Sequence, residues 1–186
     1  MRFLHRLIVL SSLFFLLACS NPFNPDISKN NDITRDYVYT PNTPDNVLRN
    51  LMLAYNQKDL ELYKNCLDES FRFQVLSNQA PEIGFDWWGF EQEIEYHKNL
   101  FNNGSSDGKF NSPTNIHLNL EIPPSTMWYM DNQVGHEDWV IISCPFYLQL
   151  SFSNYPDIVA SGFARFHLKE TKGRWYIAIW VDESNQ

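Results

Sequence analysis

His97 is the side chain of this sequence best suited to proton transfer, because an imidazole titrates near neutral pH. It lies on the apolar stripe of a helix predicted over 87–101, whose inward residues are Trp87, Phe90, Ile94, His97 and Phe101. A carboxylate could hold the ring in one tautomer, and Asp86 is the candidate. The alternatives are a hydrogen-bonded core histidine and, for Asp86, a helix N-cap.

Aromatic residues make up 16% of the chain, and six of them are Trp. A domain of this size has limited interior, so we expect some rings to line a cavity. The predicted ligand pocket comprises Tyr55, Trp87, Phe90, Ile94, His97 and Tyr129. The alternative for Trp87 and Phe90 is ordinary core packing.

Other chemical motifs are weak in this sequence. No Ser/His/Asp order, phosphate-binding loop or dinucleotide fingerprint is present. His136-Glu137-Asp138 is similar to part of a metal site, but it has no partners at ligand spacing and is interpreted as a turn. We therefore expect no metal site and no cofactor.

Cys19 ends an N-terminal segment typical of a secretory signal peptide. Arg2 and Arg6 give it a basic start, the run 7–17 is almost wholly apolar, and the small residue Ala18 precedes the cysteine. This run is too short to span a bilayer, which needs about 20 residues.

The last four residues, Leu16-Leu17-Ala18-Cys19, resemble the lipobox of bacterial lipoproteins. The resemblance implies that the Cys19 thiol is lipidated, that the signal is cut before it, and that acyl chains anchor the protein to a membrane. Ser20 follows the cysteine, which in enteric-type Gram-negative bacteria implies the outer membrane. The alternative is a plain secretory signal. We expect a location in the cell envelope.

The charge of the chain limits its partners. The formal net charge is −8, and removing a leader with two arginines and no acidic residues makes the remainder more negative by two charges. An acidic body argues against nucleic acid as a partner and against electrostatic adhesion to anionic lipid. Membrane attachment then depends on the acyl chains, of which two or more are needed for stable anchoring.

The predicted organisation is a signal peptide over 1–18, a lipid-anchored flexible tether over 19–42 and one domain over 43–186. Thr43-Pro44 opens a helix, Asp59 caps a second, and the helix over 87–101 is the third. Strands are predicted at 71–75, 116–121, 126–130, 139–152, 158–169 and 175–181. Pro145 inside the longest strand predicts a bulge or an unpaired edge. Cys66 and Cys144 fall on apolar faces, which favours buried free thiols over a disulfide.

This order predicts an α+β fold in which a curved antiparallel sheet wraps around about three N-terminal helices. It resembles the nuclear-transport-factor-2-like superfamily, which includes ketosteroid-isomerase-like and polyketide-cyclase-like proteins. The resemblance covers 43–182 and is carried by Thr43-Pro44, Ala54-Tyr55, Asp59-Leu60, Phe71-Arg72-Phe73 and Gly173-Arg174-Trp175-Tyr176-Ile177. Isomerases of this superfamily place a carboxylate near the end of the first strand. Here Gln74-Val75-Leu76-Ser77 holds none.

Two functions remain open from the sequence. The first is a non-catalytic, membrane-anchored module that binds a small apolar ligand or an envelope protein. The second is an isomerase, dehydratase or hydrolase that uses His97 with a nearby carboxylate. Fold alone does not choose between them.

Overall fold

The computed structural model describes residues 38–75, 86–105 and 108–184. Helix α1 (Pro44–Gln57) begins after Thr43, whose extended backbone stands at the N-cap position, and Pro44 occupies the first turn. Helix α2 (Leu60–Cys66) is capped by Asp59, whose carboxylate accepts a hydrogen bond from the Leu62 amide at 2.9 Å. The predicted starts of these two helices are therefore confirmed.

The third helix, α3 (Phe90–Lys98), begins three residues later than predicted. Residues 87–89 form strand β2 instead, paired with β1 (Leu67–Val75), and Gly89 rather than Asp86 occupies the N-cap position. A π-helical turn, Asn99–Asn103, extends α3 and ends at Gly104.

Five further strands complete the sheet. They are β3 (Asn115–Leu120), β4 (Tyr129–Met130), β5 (Val140–Ser151), β6 (Ile158–Thr171) and β7 (Arg174–Ser184). The predicted strand over 126–130 was wrong in extent, because Ser125–Met127 is a 3-10 turn and only two residues pair with β5.

The sheet order is β2-β1-β7-β6-β5-β3, with β4 also paired to β5. Strand β1 runs parallel to β7, whereas the other pairings are antiparallel, so the sheet is mixed rather than wholly antiparallel as predicted. Three helices and an open, curved seven-stranded sheet confirm the predicted α+β class.

Pro145 interrupts no pairing between β5 and β6, where it lies opposite Phe163 in regular register. The expected bulge is therefore wrong, and the other expectation, an unpaired edge, concerns only the side of Pro145 that faces β3. The Pro145 carbonyl instead accepts from the Glu121 amide at 3.0 Å, just past the end of β3. A proline lacks the amide that would continue this ladder, which accounts for the end of β3 pairing at Leu120.

The core lies between the helices and the inner face of the sheet. Its largest fully buried aromatic side chains are Tyr63, Phe71, Phe101 and Phe166. Cys66 and Cys144 are free and buried, as predicted, and burial raises the pKa of each thiol to about 12. Among the described residues, no helix is long and apolar enough to cross a membrane.

The segment 38–42, predicted as the end of the tether, bonds to this body. The Asn50 side chain both accepts from the Tyr39 amide and donates to the Tyr39 carbonyl, each at 2.7 Å. The Trp175 amide donates to the Pro41 carbonyl at 2.8 Å. Cys19, the signal peptide and residues 20–37 lie outside the described residues.

Candidate functional site

His97 belongs to a buried set of polar side chains that we call the interior network: Tyr55, Tyr63, Trp88, Glu93 and His97. Its Nδ1 lies 3.0 Å from the Glu93 carbonyl oxygen, which can only accept, so Nδ1 carries the proton. Its Nε2 then accepts from the Tyr55 hydroxyl at 2.6 Å. One tautomer of His97 is thereby fixed, with both ring nitrogens bonded.

Glu93 is the carboxylate of the interior network. Tyr63 donates its hydroxyl to one carboxylate oxygen, and the Trp88 indole donates to the other. Burial nevertheless raises the pKa of Glu93, because desolvation outweighs these two hydrogen bonds. Burial also lowers the pKa of His97 to about 4. Both groups are therefore pushed toward their neutral forms.

Aromatic rings occupy the space around His97. Tyr63 stacks on the imidazole with ring centroids 3.8 Å apart, and the Phe101 ring meets it edge-on at 5.4 Å. His97 is only 8% exposed. The hydrogen bonds of the interior network fix the positions of its protons, and its side chains are packed as in a protein core. A substrate would have to displace an aromatic ring to reach His97.

The structure separates the residues predicted for the ligand pocket. Tyr55 and His97 are in direct contact, and Phe90 and Ile94 pack against the core. Trp87 is 49% exposed and lies beneath the Arg72 guanidinium, 5.0 Å from its ring centroid. The six residues do not form one pocket.

The predictions for Trp87 and Tyr129 were wrong for the same reason, which is that both residues lie in strands. In a strand, successive side chains point to opposite faces, so Trp88 rather than Trp87 faces the interior and stacks on Phe73 at 4.2 Å. Tyr129 lies opposite Ile141 on the outer face and is 64% exposed. Asp86 is exposed, caps no helix and does not belong to the interior network.

Glu93 is a residue of the interior network that was not predicted from the sequence, although its spacing from His97 indicates it. It precedes His97 by four residues, and residues four apart in a helix share one face. The two side chains approach to 3.3 Å between Glu93 Oε1 and His97 Nδ1. The carboxylate beside His97 is thus Glu93 and not the predicted Asp86.

An apolar pocket of about 290 Å³ lies beside the π-helical turn, away from the interior network. Its lining residues are Asn99, Leu100, Gly104, Ser105, Phe110, Asn111, Ser112, Pro113, Phe152 and Ile158. Gly104 is required there, because a Cβ atom would come within 2.2 Å of the Phe110 carbonyl oxygen. None of these lining residues is titratable, so the pocket supplies contact area but no acid or base.

The outer face of the sheet, which points away from the helices, carries a larger cavity of about 590 Å³. We call this cavity the outer groove. Its walls are polar and include Arg72 and Arg165 from the sheet, together with residues of the 131–139 loop. Arg165 is paired with Glu183 at 2.5 Å.

Three side chains at the outer groove form what we call the Asp–His cluster: Asp131, His136 and His167. Asp131 Oδ2 lies 2.8 Å from His136 Nδ1 and 2.7 Å from His167 Nδ1. Burial alone would raise the pKa of Asp131, but hydrogen bonds from His167, the Gln133 amide and His136 lower it. Asp131 is therefore held as a carboxylate although it is only 4% exposed.

The sequence reading found His136 but not its partners, because they come together through strand register. Tyr129 pairs with Ile141, and Ile141 pairs with His167. Asp131 follows β4 directly and so reaches a histidine 36 residues away. The only sequence signal was Asp131 itself, five residues before His136.

Comparison with solved structures places the fold. A ketosteroid isomerase-like protein from Erwinia carotovora atroseptica has a TM-score of 0.51 and 12% identity, over 76% of this chain and 93% of that one. A provisionally named scytalone dehydratase from Novosphingobium aromaticivorans has a TM-score of 0.53 and 10% identity, over 76% and 81%. A provisionally named aromatic ring hydroxylase from the same organism has a TM-score of 0.56 and 12% identity, over 76% and 86%.

These neighbours share the α+β fold of the domain, and one of them is ketosteroid isomerase-like, a group that the sequence resemblance includes. At such low identity they show the fold alone. No protein-family model and no curated protein matches the sequence.

Proposed function

We propose that this protein is a lipid-anchored module of the cell envelope that binds a small apolar ligand, without converting it, in the apolar pocket. The anchor rests on the sequence Leu16-Leu17-Ala18-Cys19. The binding role rests on one observation, which is that the apolar pocket has no titratable side chain in its wall.

The pocket suits a small and uncharged ligand. Its volume of about 290 Å³ lies just below the range of about 300–1,000 Å³ found for small-molecule sites. Leu100, Phe110, Phe152 and Ile158 offer apolar surface, and almost none of the accessible wall is polar.

The interior network supports a role without catalysis. A general base needs a free lone pair within reach of its substrate, and the only lone pair of His97 accepts a hydrogen bond from Tyr55. The alternative, an isomerase, dehydratase or hydrolase using His97, has in its favour the nearby Glu93 carboxylate. It requires the aromatic packing around His97 to open.

An envelope protein is the second candidate ligand. Val159 and Phe163 on the outer face of β6 are 53% and 48% exposed, and Tyr147 on β5 is 39% exposed. Exposed apolar side chains grouped on one face mark interaction surfaces. A protein partner would therefore contact the outer face, whereas a small apolar ligand would enter the apolar pocket.

Substitutions at two neighbouring residues of β6 test whether a ligand binds in the apolar pocket or on the outer face. Ile158 lines the apolar pocket and is 55% exposed, whereas Val159 is 53% exposed and points to the opposite face. We expect Ile158→Trp to fill the pocket. Val159→Trp adds the same bulk outside it and serves as the matched control.

The measurement is photolabelling of the full chain in detergent micelles with a diazirine-bearing naphthalene, followed by peptide mapping. We expect labelled peptides from the pocket wall in the native chain and in Val159→Trp, with at least about a tenfold loss in Ile158→Trp. Equal labelling of all three chains would contradict the proposal. Native mass spectrometry of the same samples tests for a ligand that co-purifies.

A further inference from the structure

We propose that Asp131, His136 and His167 form a binding site for a divalent transition metal, with Zn²⁺ as its representative, at the wall of the outer groove. One carboxylate oxygen and two imidazole nitrogens all lie within 4.8 Å of one another. These are the ligand types that zinc takes in proteins, and three protein ligands leave a coordination position for water.

The distances fit a metal after the side chains rearrange. With metal–ligand bonds of about 2.0–2.2 Å in tetrahedral geometry, ligand atoms lie about 3.4 Å apart. The two Nδ1···Oδ2 distances are 2.7 and 2.8 Å, so each contact must open by about 0.6–0.7 Å, and ligand atoms separated by as much as 4.8 Å must close by about 1.4 Å. We expect side-chain rotation to make these changes, with both imidazoles presenting Nδ1 as a lone pair and the proton on Nε2.

The surroundings of the cluster hold its side chains in place. The Gln133 amide donates to Asp131 Oδ1 at 3.0 Å, which leaves Oδ2 directed at the histidines. His136 stacks flat on Trp139, with ring centroids 3.7 Å apart and an interplanar angle of 5°. Ligand groups fixed in this way by outer contacts are typical of metal sites in proteins.

Burial of Asp131 is the second observation that points to a cation. A carboxylate that is 4% exposed has lost most of its hydration and depends on polar partners. Those partners are the Gln133 amide and the two histidines, whereas the nearby cations Lys169 and Arg165 are paired with Asp68 and Glu183. A bound metal ion would add a positive charge directly at Oδ2.

The outer groove gives the site an access path. His136 and His167 line its wall, and its volume of about 590 Å³ admits water and a small co-ligand. The apolar pocket has none of these residues in its wall, so this site and the proposed apolar ligand are independent of each other.

The test is a titration of the full chain in detergent with Co²⁺ and then with competing Zn²⁺, followed by absorption spectroscopy. We expect one equivalent per chain and a d–d spectrum of nitrogen and oxygen ligands, without the strong near-ultraviolet band of a thiolate. Zinc at saturating concentration is expected to raise the midpoint of thermal unfolding.

His136 is the variant of choice because it lies in a loop and is partly exposed, so His136→Ala is expected to fold. Outer partners of a metal site change affinity by about 10–100-fold, and loss of a direct ligand is expected to weaken Zn²⁺ binding by about 100-fold or more. Asp131→Asn is expected to do the same while keeping the shape of the side chain.

His117→Ala is the matched control, since it removes an exposed imidazole from β3 and leaves the cluster intact. Unchanged binding in His117→Ala together with loss in His136→Ala supports the site. Absence of binding, equal affinity in the native chain and His136→Ala, or a thiolate band would overturn it, and the cluster would then be a hydrogen-bonded clamp on the 131–139 loop. None of these outcomes depends on the apolar pocket.

Discussion

At the scale of single residues, burial decides which side chains can do chemistry. His97 and Glu93 are within 3.3 Å, yet burial lowers the pKa of the imidazole and raises that of the carboxyl group. Both effects favour neutral groups, which is the opposite of what an ion pair would produce. The two side chains therefore belong to the packed core, and a change in their protonation is expected to change the free energy of unfolding.

The pH dependence of stability tests this interpretation of His97. The folded pKa of about 4 lies below the usual 6.5, so the neutral ring contributes stability that is present above pH 6.5 and is lost as pH falls toward 4. A shift of that size corresponds to roughly 3 kcal/mol. The raised pKa of Glu93 acts in the opposite sense, with stability lost as pH rises above its unfolded value.

The measurement compares urea unfolding of the native chain and of His97→Phe at pH 7 and pH 4. We expect the native chain to lose roughly 3 kcal/mol more than the variant over this range, because the variant has no imidazole to protonate. His117→Phe removes an exposed imidazole and should follow the native chain. Parallel curves for native and His97→Phe proteins would show that His97 is not buried in its neutral form.

At the scale of elements, the end of α3 shapes the apolar pocket. The π-helical turn Asn99–Asn103 stops at Gly104, whose φ of 79° and ψ of −167° belong to a region used almost only by glycine. The amide of Gly104 bonds to the Asn99 carbonyl at 2.8 Å, and the next residue, Ser105, donates its amide to the Phe110 carbonyl. The chain thus folds back tightly enough to make one pocket wall.

Gly104→Ala is predicted to be strongly destabilising. A Cβ atom would meet the Phe110 carbonyl oxygen at 2.2 Å, and that backbone has no room to move without opening the turn. Backbone strain and overpacking each cost about 1–3 kcal/mol, so we expect a total of about 3 kcal/mol or more.

Gly108→Ala is the matched control for Gly104→Ala, measured by denaturant unfolding. Its φ is also positive, at 71°, but nothing lies within 4 Å of an added Cβ atom. Only the conformational cost remains, which is about 1–2 kcal/mol. Equal losses in the two variants would show that the contact with Phe110 does not limit the turn.

At the scale of the whole molecule, one sheet separates three regions with different chemistry. Its inner face packs the interior network and the core against the helices, its outer face carries the Asp–His cluster and the outer groove, and the apolar pocket lies beside the end of α3. We propose that membrane attachment involves none of these regions and depends on Cys19 alone.

Cys19→Ser is therefore predicted to release the protein from membranes. The net charge of −8 gives no electrostatic attraction to anionic lipid, so charge would not replace the proposed acyl chains once they are lost. We expect loss of labelling by a fatty-acid analogue and a shift to the soluble fraction. Cys66→Ser is the control, since that thiol is buried in the body, and retained labelling of Cys19→Ser would contradict the anchor.

The amino-acid sequence by itself determined most of the elements and the α+β class of the fold. Helix starts follow from local chemistry, such as Asp59 capping α2, and the long alternating segment at 139–152 specified β5 through its own side chains. Burial of Cys66 and Cys144 followed from the same periodicity. These features depend on neighbours within a few residues, which a sequence displays directly.

Only the tertiary structure decided the sites. The assignment of residues 87–89 to β2 rather than to a helix moved Trp87 to the outer face and left Trp88 inside, because a strand alternates its faces and pairing with β1 overrides local preference. The Asp–His cluster depends on the register of β4, β5 and β6, which brings Asp131 to His167. The chemistry of this protein was therefore set by long-range pairing and burial, which local patterns do not encode.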